Sequence, residues 1–190
     1  MDHSDQICAW AQSNSLMREY HNQEWGVPNY QDNYLFEMLN LEGAQSGLSW
    51  LTILKKREGY RKAFHQFDIS VCAEMTDEEL AEIVENGEVV RHPLKINSVR
   101  SNAIAAQKVI EEYGNFADYV WHFTDFKRQV NQWTATEQLP AKSELSEQIS
   151  KDMKKRGFKF VGPVTIYSFL QAVGIIDDHV ITCPYHSTKK

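Results

Sequence analysis

The sequence predicts an all-α fold, and two observations lead to this prediction. Successive segments place apolar residues three and four positions apart, and glycine or proline bounds several of those segments. No segment alternates apolar and polar residues between turn pairs, so we expect strands to be minor. The 190 residues suffice for one domain, or for two small lobes that share a core. Residues 129–142 are the best candidate for a long surface loop.

The first half of the chain is predicted to form three helices. Asn33 can cap a helix whose apolar residues run to Leu41. Trp50 begins a second apolar stripe at helical spacing. Thr76 and Glu79 have the spacing of a capping box, in which each side chain bonds the backbone of the other, so we expect a third helix to start there.

Glycine and proline mark the helices of the second half. The segment 96–113 has apolar residues on one face and ends before Gly114. Apolar residues four positions apart predict another helix, which ends before Gly157. Pro163 suits the first position of a last helix, because proline lacks the N–H that this position leaves unbonded, and Gly174 ends that helix.

Charge is segregated along the sequence. The formal net charge of −6 argues mildly against a protein that coats nucleic acid. Residues 72–90 hold seven acids and no base, residues 151–160 hold five bases and one acid, and residues 55–62 form a second basic cluster. One face can therefore attract phosphate while the molecule stays acidic, although two solvated helix faces would give the same pattern.

Cysteine content and hydropathy predict a cytoplasmic protein. Three cysteines are too few and too scattered for a disulfide framework, which fits a reducing cytosol. No apolar run approaches the length needed to span a bilayer. Residues 1–6 lack the basic and apolar regions of a signal peptide.

Two pairs of potential metal ligands lie near the two ends of the chain. Cys8 and His21 form one pair, and His179 and Cys183 form the other. Zinc prefers four tetrahedral sulfur and nitrogen ligands, so these four side chains could form a closed structural site that joins the ends. His186 is the substitute ligand if His179 is engaged elsewhere. Buried free thiols and surface histidines remain the alternative.

The segment 157–163 joins two predicted helices through a short hairpin. Backbone N–H groups beside a glycine can approach a phosphate closely, and the positive end of the next helix adds attraction. Lys155, Arg156 and Lys159 surround the hairpin with cations. This arrangement is typical of a helix-hairpin-helix element that binds a DNA backbone without reading its sequence. A glycine between two helices is common, so the pattern alone leaves the question open.

Glu42 lies in an otherwise apolar, glycine-containing run. A carboxylate in such a place needs a partner, or its pKa shifts. Four aromatic residues lie close in sequence to the first ligand pair, Cys8 and His21, namely Trp10, Tyr20, Trp25 and Trp50. Together they could form a stacking pocket for a flipped, cationic base. The alternative is a helix-end glutamate at a solvent edge beside ordinary core aromatics.

Long motifs, in order along nearly the whole chain, resemble those of the bacterial 3-methyladenine DNA glycosylase I family. They lie at residues 8–10, 20–28, 35–37, 41–43, 47–50, 54–57, 156–162 and 178–180. The resemblance implies a helix-hairpin-helix glycosylase fold over residues 1–190, with two helical lobes that share a cleft. It also implies a structural Zn²⁺ that joins the termini through Cys8, His21, His179 and Cys183.

The same resemblance assigns the remaining site residues. It places Glu42 as the catalytic and base-binding residue, with Tyr20 and Trp50 in the base pocket and Trp25 and Trp10 beside them. The hairpin residues expected to contact the DNA backbone are Gly157, Lys159, Val161 and Gly162, flanked by Lys155 and Arg156.

The implied activity is hydrolysis of the N-glycosidic bond of 3-methyladenine in alkylated double-stranded DNA. The enzyme would be monofunctional and would release free 3-methyladenine. It would be a monomer that does not bind a membrane, and it would act in a bacterial cytoplasm, near the nucleoid. Two rival functions remain, a non-catalytic binder of alkylated DNA and a zinc-stapled helical interaction domain. A catalytic zinc site is disfavoured, because four protein ligands leave no position for water.

Two positions depart from the family pattern. The family often has a tyrosine three residues before Tyr20, where this chain has Met17, which puts one pocket wall or one DNA contact in question. Asp177 occupies the place where related helix-hairpin-helix glycosylases hold a catalytic aspartate. The resemblance favours an inert surface acid at Asp177 over a catalytic one.

Overall fold

The computed structural model describes residues 6–190 of the chain, so residues 1–5 of the predicted unit 1–190 lie outside the described part. The α-helices found there are α1 (Ser15–Gln23), α2 (Asp32–Gln45), α3 (Trp50–Ala63), α4 (Ile69–Ala73), α5 (Asp77–Asn86), α6 (Pro93–Tyr113), α7 (Phe116–His122), α8 (Glu144–Lys155) and α9 (Pro163–Ala172). Across residues 6–190, no helix has both the length and the apolar character needed to traverse a bilayer.

The predicted mostly helical architecture is confirmed, with one small sheet added to it. Strands β1 (Gln129–Val130) and β2 (Ile176–Asp177) pair in parallel. The predicted surface loop 129–142 therefore begins with a strand, and it also contains a short 3₁₀ helix at Thr136–Gln138. The pairing ties this loop to the segment that follows α9.

Residues with special backbone conformations set the helix ends that the sequence predicted. Gly114 and Gly157 adopt φ values of 92° and 97° directly after α6 and just after α8, a region that favours glycine. Pro163 is the first residue of α9, as expected. The Thr76 hydroxyl accepts a hydrogen bond from the Glu79 amide and begins α5. The Glu79 side chain forms no return bond to the Thr76 backbone within the described residues, so only half of the predicted capping box is present.

The predicted cap of α2 is wrong. The helix starts at Asp32 with Gln31 at the cap position and no capping side chain, so Asn33 lies inside the first turn. The Asp32 carboxylate instead accepts a hydrogen bond from the amide of Ala117, in α7. This bond satisfies an amide in the first turn of α7, and the start of α2 has no capping side chain.

Helix α2 is the centre of the fold. Every residue from 35 to 44 is buried, including Glu37, Asn40 and Glu42. A helix that is buried on all sides must pack against several neighbours, and α3, α6, α7 and α9 contact it. The polar side chains of this helix therefore face protein or a cavity rather than bulk water.

Part of the predicted basic cluster 55–62 is buried in ion pairs, and Arg57 is the clearest case. Its guanidinium is buried and forms ion pairs with Glu24 at 2.8 Å and Glu37 at 2.6 Å. Arg61 also pairs with Glu37, at 2.5 Å. These two arginines join α3 to α2 and to the residue that follows α1, so they are internal links and are not free to attract phosphate.

Candidate active site

A pocket of about 300 Å³ contains all five residues that were predicted to bind a base. Its lining consists of Trp10, Met17, Tyr20, Trp25, Glu42, Gln45, Trp50, Leu139, Ser168 and Gln171. Met17 lies in this wall, as the family pattern implied for its position. Gln45, Leu139, Ser168 and Gln171 had not been predicted.

Several elements bring the aromatic walls together. Trp10 lies in a short 3₁₀ helix, Tyr20 on α1, and Trp50 at the first position of α3. The Tyr20 and Trp50 rings have centroids 5.3 Å apart, and those of Trp10 and Trp25 are 5.0 Å apart at nearly right angles. The resulting aromatic cavity suits a flat, electron-poor ligand.

Glu42 is the acidic group of the pocket. Its side chain is buried, at 5% exposure, and no ion-pair partner faces it within residues 6–190. Burial alone raises the pKa of Glu42 to about 8, because removal from water penalises the charged form. A cationic ligand would supply the missing counter-charge.

Two donors in the same pocket also lack partners. Among the described side chains, the Tyr20 hydroxyl and the Trp50 indole Nε1 are buried and form no hydrogen bond. Burial, and then the nearby Glu42, raises the pKa of Tyr20 well above its usual value, so the hydroxyl keeps its proton. Buried polar groups are normally bonded, and these unbonded ones therefore indicate a binding site for a polar ligand.

Helix α9 supplies the wall that the sequence did not reveal. Gln171 lines the pocket, and its Nε2 donates to the Asp178 carboxylate over 2.9 Å. The Gly26 amide donates to the Gln171 carbonyl at 2.9 Å and fixes the turn beside Trp25. The proximity of α9 to α2 depends on tertiary packing, so no local sequence pattern could have indicated these residues.

Three of the four predicted metal ligands converge. The ligand atoms of Cys8, His21 and Cys183 lie within 4.8 Å of one another, and all three residues are buried. The hydrogen bond from the Cys8 thiol, opposed by burial, leaves the pKa of Cys183 well below its usual value. The His21 ring also packs against Trp10, with centroids 5.3 Å apart, so this group supports the pocket wall.

His179, the fourth predicted ligand, lies beside this group. Its ring centroid is 4.7 Å from that of His21, and its Nε2 is buried without a hydrogen-bond partner among the described residues. Its Nδ1 bonds the Asp177 carboxylate at 2.8 Å, which leaves Nε2 as the free nitrogen. Both nitrogens of His186 are engaged, with Thr188 and Asn131, so the substitute ligand is not needed. This donor set fits a zinc ion.

Asp177 is not the surface acid that was expected. It is 1% exposed and bonds both the His179 ring and the Ser187 amide. Although burial raises the pKa of Asp177, these hydrogen bonds outweigh it and hold that pKa well below its usual value. Asp177 is absent from the pocket lining and belongs to the support of His179.

A short connection joins α8 to α9, as the sequence predicted. The side chains of Phe158 and Val161 are buried anchors, and Lys159 is exposed between them. Gly162 is the cap residue of α9. Within the described residues, the amides of Phe160, Val161 and Gly162 have no acceptor, and Phe160 and Gly162 are partly exposed.

The cations around this connection differ in availability. Lys155 and Lys159 are exposed and form no ion pair with any described residue. Arg156 is already paired with Glu112 at 2.7 Å and with Asp152 at 2.8 Å. Its guanidinium also lies 5.2 Å from the Tyr119 ring centroid. The two lysines are therefore the more accessible partners for a phosphate.

Comparisons with known proteins agree on one family. Residues 10–186 match the family model described as methyladenine glycosylase. The DNA-3-methyladenine glycosylase 1 of Escherichia coli is 44% identical over 176 residues, with 93% of this chain and 94% of that protein covered. The DNA-3-methyladenine glycosylase of Haemophilus influenzae is 43% identical over 178 residues, with 93% and 96% covered.

The fold agrees as well. A solved structure of 3-methyladenine DNA glycosylase I from Staphylococcus aureus, described in terms of its recognition of 3-methyladenine, superposes with a TM-score of 0.91 at 36% identity. The match covers 94% of this chain and 95% of that one.

Proposed function

The chain belongs to the methyladenine glycosylase family, and on that premise we propose how its pocket releases 3-methyladenine from alkylated DNA. The protein is a base-excision repair glycosylase that acts on 3-methyladenine. The observation that carries the proposal is Glu42, a buried carboxyl group without a counter-charge in an aromatic pocket.

Release of 3-methyladenine does not require the enzyme to protonate the departing base. Methylation at N3 gives the adenine of the nucleotide a positive charge, so the base accepts the electrons of the N-glycosidic bond and leaves as neutral 3-methyladenine. The oxygen of a water molecule bonds to C1′, and the proton that this water loses passes to the surrounding solvent. The enzyme must extrude the nucleotide, hold its base and admit that water.

Glu42 distinguishes the damaged base by charge. With a pKa of about 8, the empty pocket holds this carboxyl mostly protonated at pH 7, and a cationic base favours its ionised form. A neutral adenine offers no such gain. The positive charge passes to the sugar as the bond breaks, so the carboxylate faces a cation throughout the reaction. Its role is therefore both recognition and catalysis.

The other pocket groups would orient the base. Trp50 stacks on it, with Trp25 and Trp10 completing the aromatic walls, and the unbonded Tyr20 hydroxyl and Trp50 N–H can donate to acceptor atoms of adenine. No lysine lies among the lining residues described. The absence of an amine nucleophile from this lining supports simple hydrolysis, as for a monofunctional enzyme.

A structural zinc ion is part of the proposal. Cys8, His21 and Cys183 would bind it together with the free Nε2 of His179. Four protein ligands close the coordination shell, so the ion would join the two ends of the chain and take no part in the reaction. The unit of residues 1–190, with two helical lobes sharing the cleft, would be held together in this way.

Helices α8 and α9 would hold DNA as a helix-hairpin-helix element. The free amides of Val161 and Gly162, the turn at Gly157 and the exposed Lys159 support contacts to phosphates rather than to bases. The partner would be double-stranded DNA in a bacterial cytoplasm, bound by a monomer. Lys155 and, to a smaller extent, the paired Arg156 would add attraction.

A base-release assay tests the function directly. Duplex DNA methylated at adenine N3 and guanine N7 is incubated with the enzyme, and the released bases are separated. We expect free 3-methyladenine, little 7-methylguanine, no strand cleavage, and strongly reduced release by Glu42→Gln. Binding to alkylated DNA without base release would support a non-catalytic binder. Absence of salt-dependent DNA binding would support an interaction domain instead.

A further inference from the structure

We propose that two buried asparagines, Asn40 on α2 and Asn102 on α6, position the α8–α9 hairpin for its grip on DNA. This inference rests on the proposed function and adds positioning residues that contact neither the base pocket nor the metal group. The hairpin is defined here as residues 157–162.

Asn102 bonds the backbone of the hairpin at two points. Its Oδ1 accepts from the Lys159 amide at 2.7 Å, and its Nδ2 donates to the Lys159 carbonyl at 3.3 Å. Asn102 is 2% exposed. A buried backbone segment without a partner strand needs such bonds, and asparagine can supply a donor and an acceptor from one side chain.

Asn40 links this contact to the central helix. The Asn102 Nδ2 also donates to Asn40 Oδ1 at 2.9 Å, and Asn40 Nδ2 donates to the Phe36 carbonyl at 2.8 Å. Asn40 is 8% exposed. The chain of hydrogen bonds runs from the backbone of α2 through two amides to Lys159, so it fixes the hairpin relative to α2.

The hairpin depends on this support because its own conformation is unfavourable. Phe160, directly after Lys159, has φ 57°, in the left-handed region that non-glycine residues rarely adopt. The amides of Phe160, Val161 and Gly162 find no acceptor in residues 6–190. With Lys159 held by Asn102, these three unbonded N–H groups keep fixed positions directly before α9, at the helix end that attracts a phosphate.

The hairpin is seated beside the residue that recognises the base. A Cβ atom on Gly43 would lie 3.1 Å from Phe160 Cβ and 3.2 Å from the Phe160 carbonyl oxygen, so a glycine permits this close approach. Gly43 is the neighbour of Glu42 on α2. Helix α2 thus carries Glu42, Gly43, against which Phe160 packs, and Asn40. The two asparagines therefore set the distance between the hairpin and the base pocket.

The test compares Asn102→Ala with Ser101→Ala, a matched change at the adjacent, half-buried residue of α6, whose hydroxyl bonds only Asn97. Affinity for an undamaged 20-bp duplex and affinity for free 3-methyladenine are measured well below the melting temperature of each variant. For Asn102→Ala we expect the dissociation constant for duplex DNA to rise about tenfold, comparable to the loss of one charge-assisted hydrogen bond. Affinity for free 3-methyladenine should stay within about twofold, because the pocket is intact.

Two further variants keep the inference falsifiable if Asn102→Ala folds poorly. Asn40→Ala keeps the bonds between Asn102 and Lys159 but removes the bond from Asn40 to Asn102. It should therefore weaken duplex binding less than Asn102→Ala does, again with little change in affinity for free 3-methyladenine. In a double-mutant cycle, Lys159→Ala should reduce DNA affinity less in the Asn102→Ala background than in the wild type, because a displaced hairpin no longer presents that lysine.

The outcomes separate this inference from the proposed function. DNA affinity of Asn102→Ala equal to that of Ser101→Ala, in a protein that releases 3-methyladenine normally, would overturn the positioning role alone. A proportional loss of both affinities would also overturn it, since the change would then be a general structural defect. Failure of the wild type to release 3-methyladenine would overturn the proposed function and this inference with it.

Discussion

Replacing Glu42 with glutamine should stabilise the folded protein progressively as the pH rises from 5 to 9. In the unfolded chain the carboxyl ionises near its usual pKa of 4.5, whereas in the folded protein burial raises the pKa to about 8. Between these values the folded state binds the extra proton, so the free energy of unfolding of the wild type falls as pH increases. Glutamine has nearly the same shape but cannot ionise, so the free energy of unfolding of Glu42→Gln does not fall with pH in this way.

The size of the effect follows from the two pKa values. Their difference corresponds to at most about 5 kcal/mol at pH 9, because each pKa unit contributes about 1.4 kcal/mol. Water that enters the pocket reduces this figure by solvating the carboxylate. For a chain of this length, each kcal/mol shifts the melting temperature by about 2–4 °C. We therefore expect a gain of several degrees at pH 9 and only a small fraction of that gain at pH 5.

Thermal unfolding of the ligand-free proteins at pH 5, 7 and 9 measures this difference. Glu111→Gln, a change at an exposed glutamate on α6, is the matched control and should show no pH-dependent gain. If the difference between Glu42→Gln and wild type were as flat with pH as that of the control, the carboxyl would not be buried without a counter-charge. The charge-based account of recognition would then lose its basis.

The remaining predictions concern metal, DNA and Asp177. Protein purified without chelator should contain one zinc ion per chain, and Cys183→Ala should lower both the zinc content and the melting temperature; metal-free wild type would contradict the clamp. Lys159→Glu should weaken binding to all duplex sequences alike and reduce the salt dependence, whereas Lys62→Glu, at an exposed lysine on α3, should change neither. Asp177→Asn should reduce zinc affinity about 10–100-fold through His179, as measured by chelator competition. Its effect on 3-methyladenine release should be milder than that of Glu42→Gln, and the reverse order would point to an aspartate mechanism.

Local sequence rules predicted the fold where backbone conformation leaves little choice. The left-handed glycines after α6 and α8 and the proline at the start of α9 act within a single turn, so their effects do not depend on the rest of the protein. Asn33 failed as a cap because α2 starts one residue earlier, at Asp32, whose carboxylate is used in a bond to the α7 amide of Ala117. That bond exists only after the chain has folded.

The site was predictable to the extent that its residues carry an unusual chemical type. An acid in an apolar run identified Glu42, and paired cysteines and histidines identified the cluster of Cys8, His21 and Cys183. Ser168 and Gln171 are ordinary polar residues of an amphipathic helix, and only packing places them in the pocket. The burial of Arg57 was equally hidden, because its two glutamate partners lie 33 and 20 residues away.

The meeting of Cys183 with His21 has a consequence for the order in which the protein folds. These side chains are 162 residues apart, so their contact closes a very long loop, and closing long loops is slow. The ribosome releases Cys183 only after α1 through α9 have emerged. The pocket wall formed by Trp10, Tyr20 and Trp25 can therefore be locked against the other helices only near the end of folding. A nascent or truncated chain that lacks residue 183 would build most of the core while its base pocket stayed unsecured, and binding competence would appear as a late kinetic phase.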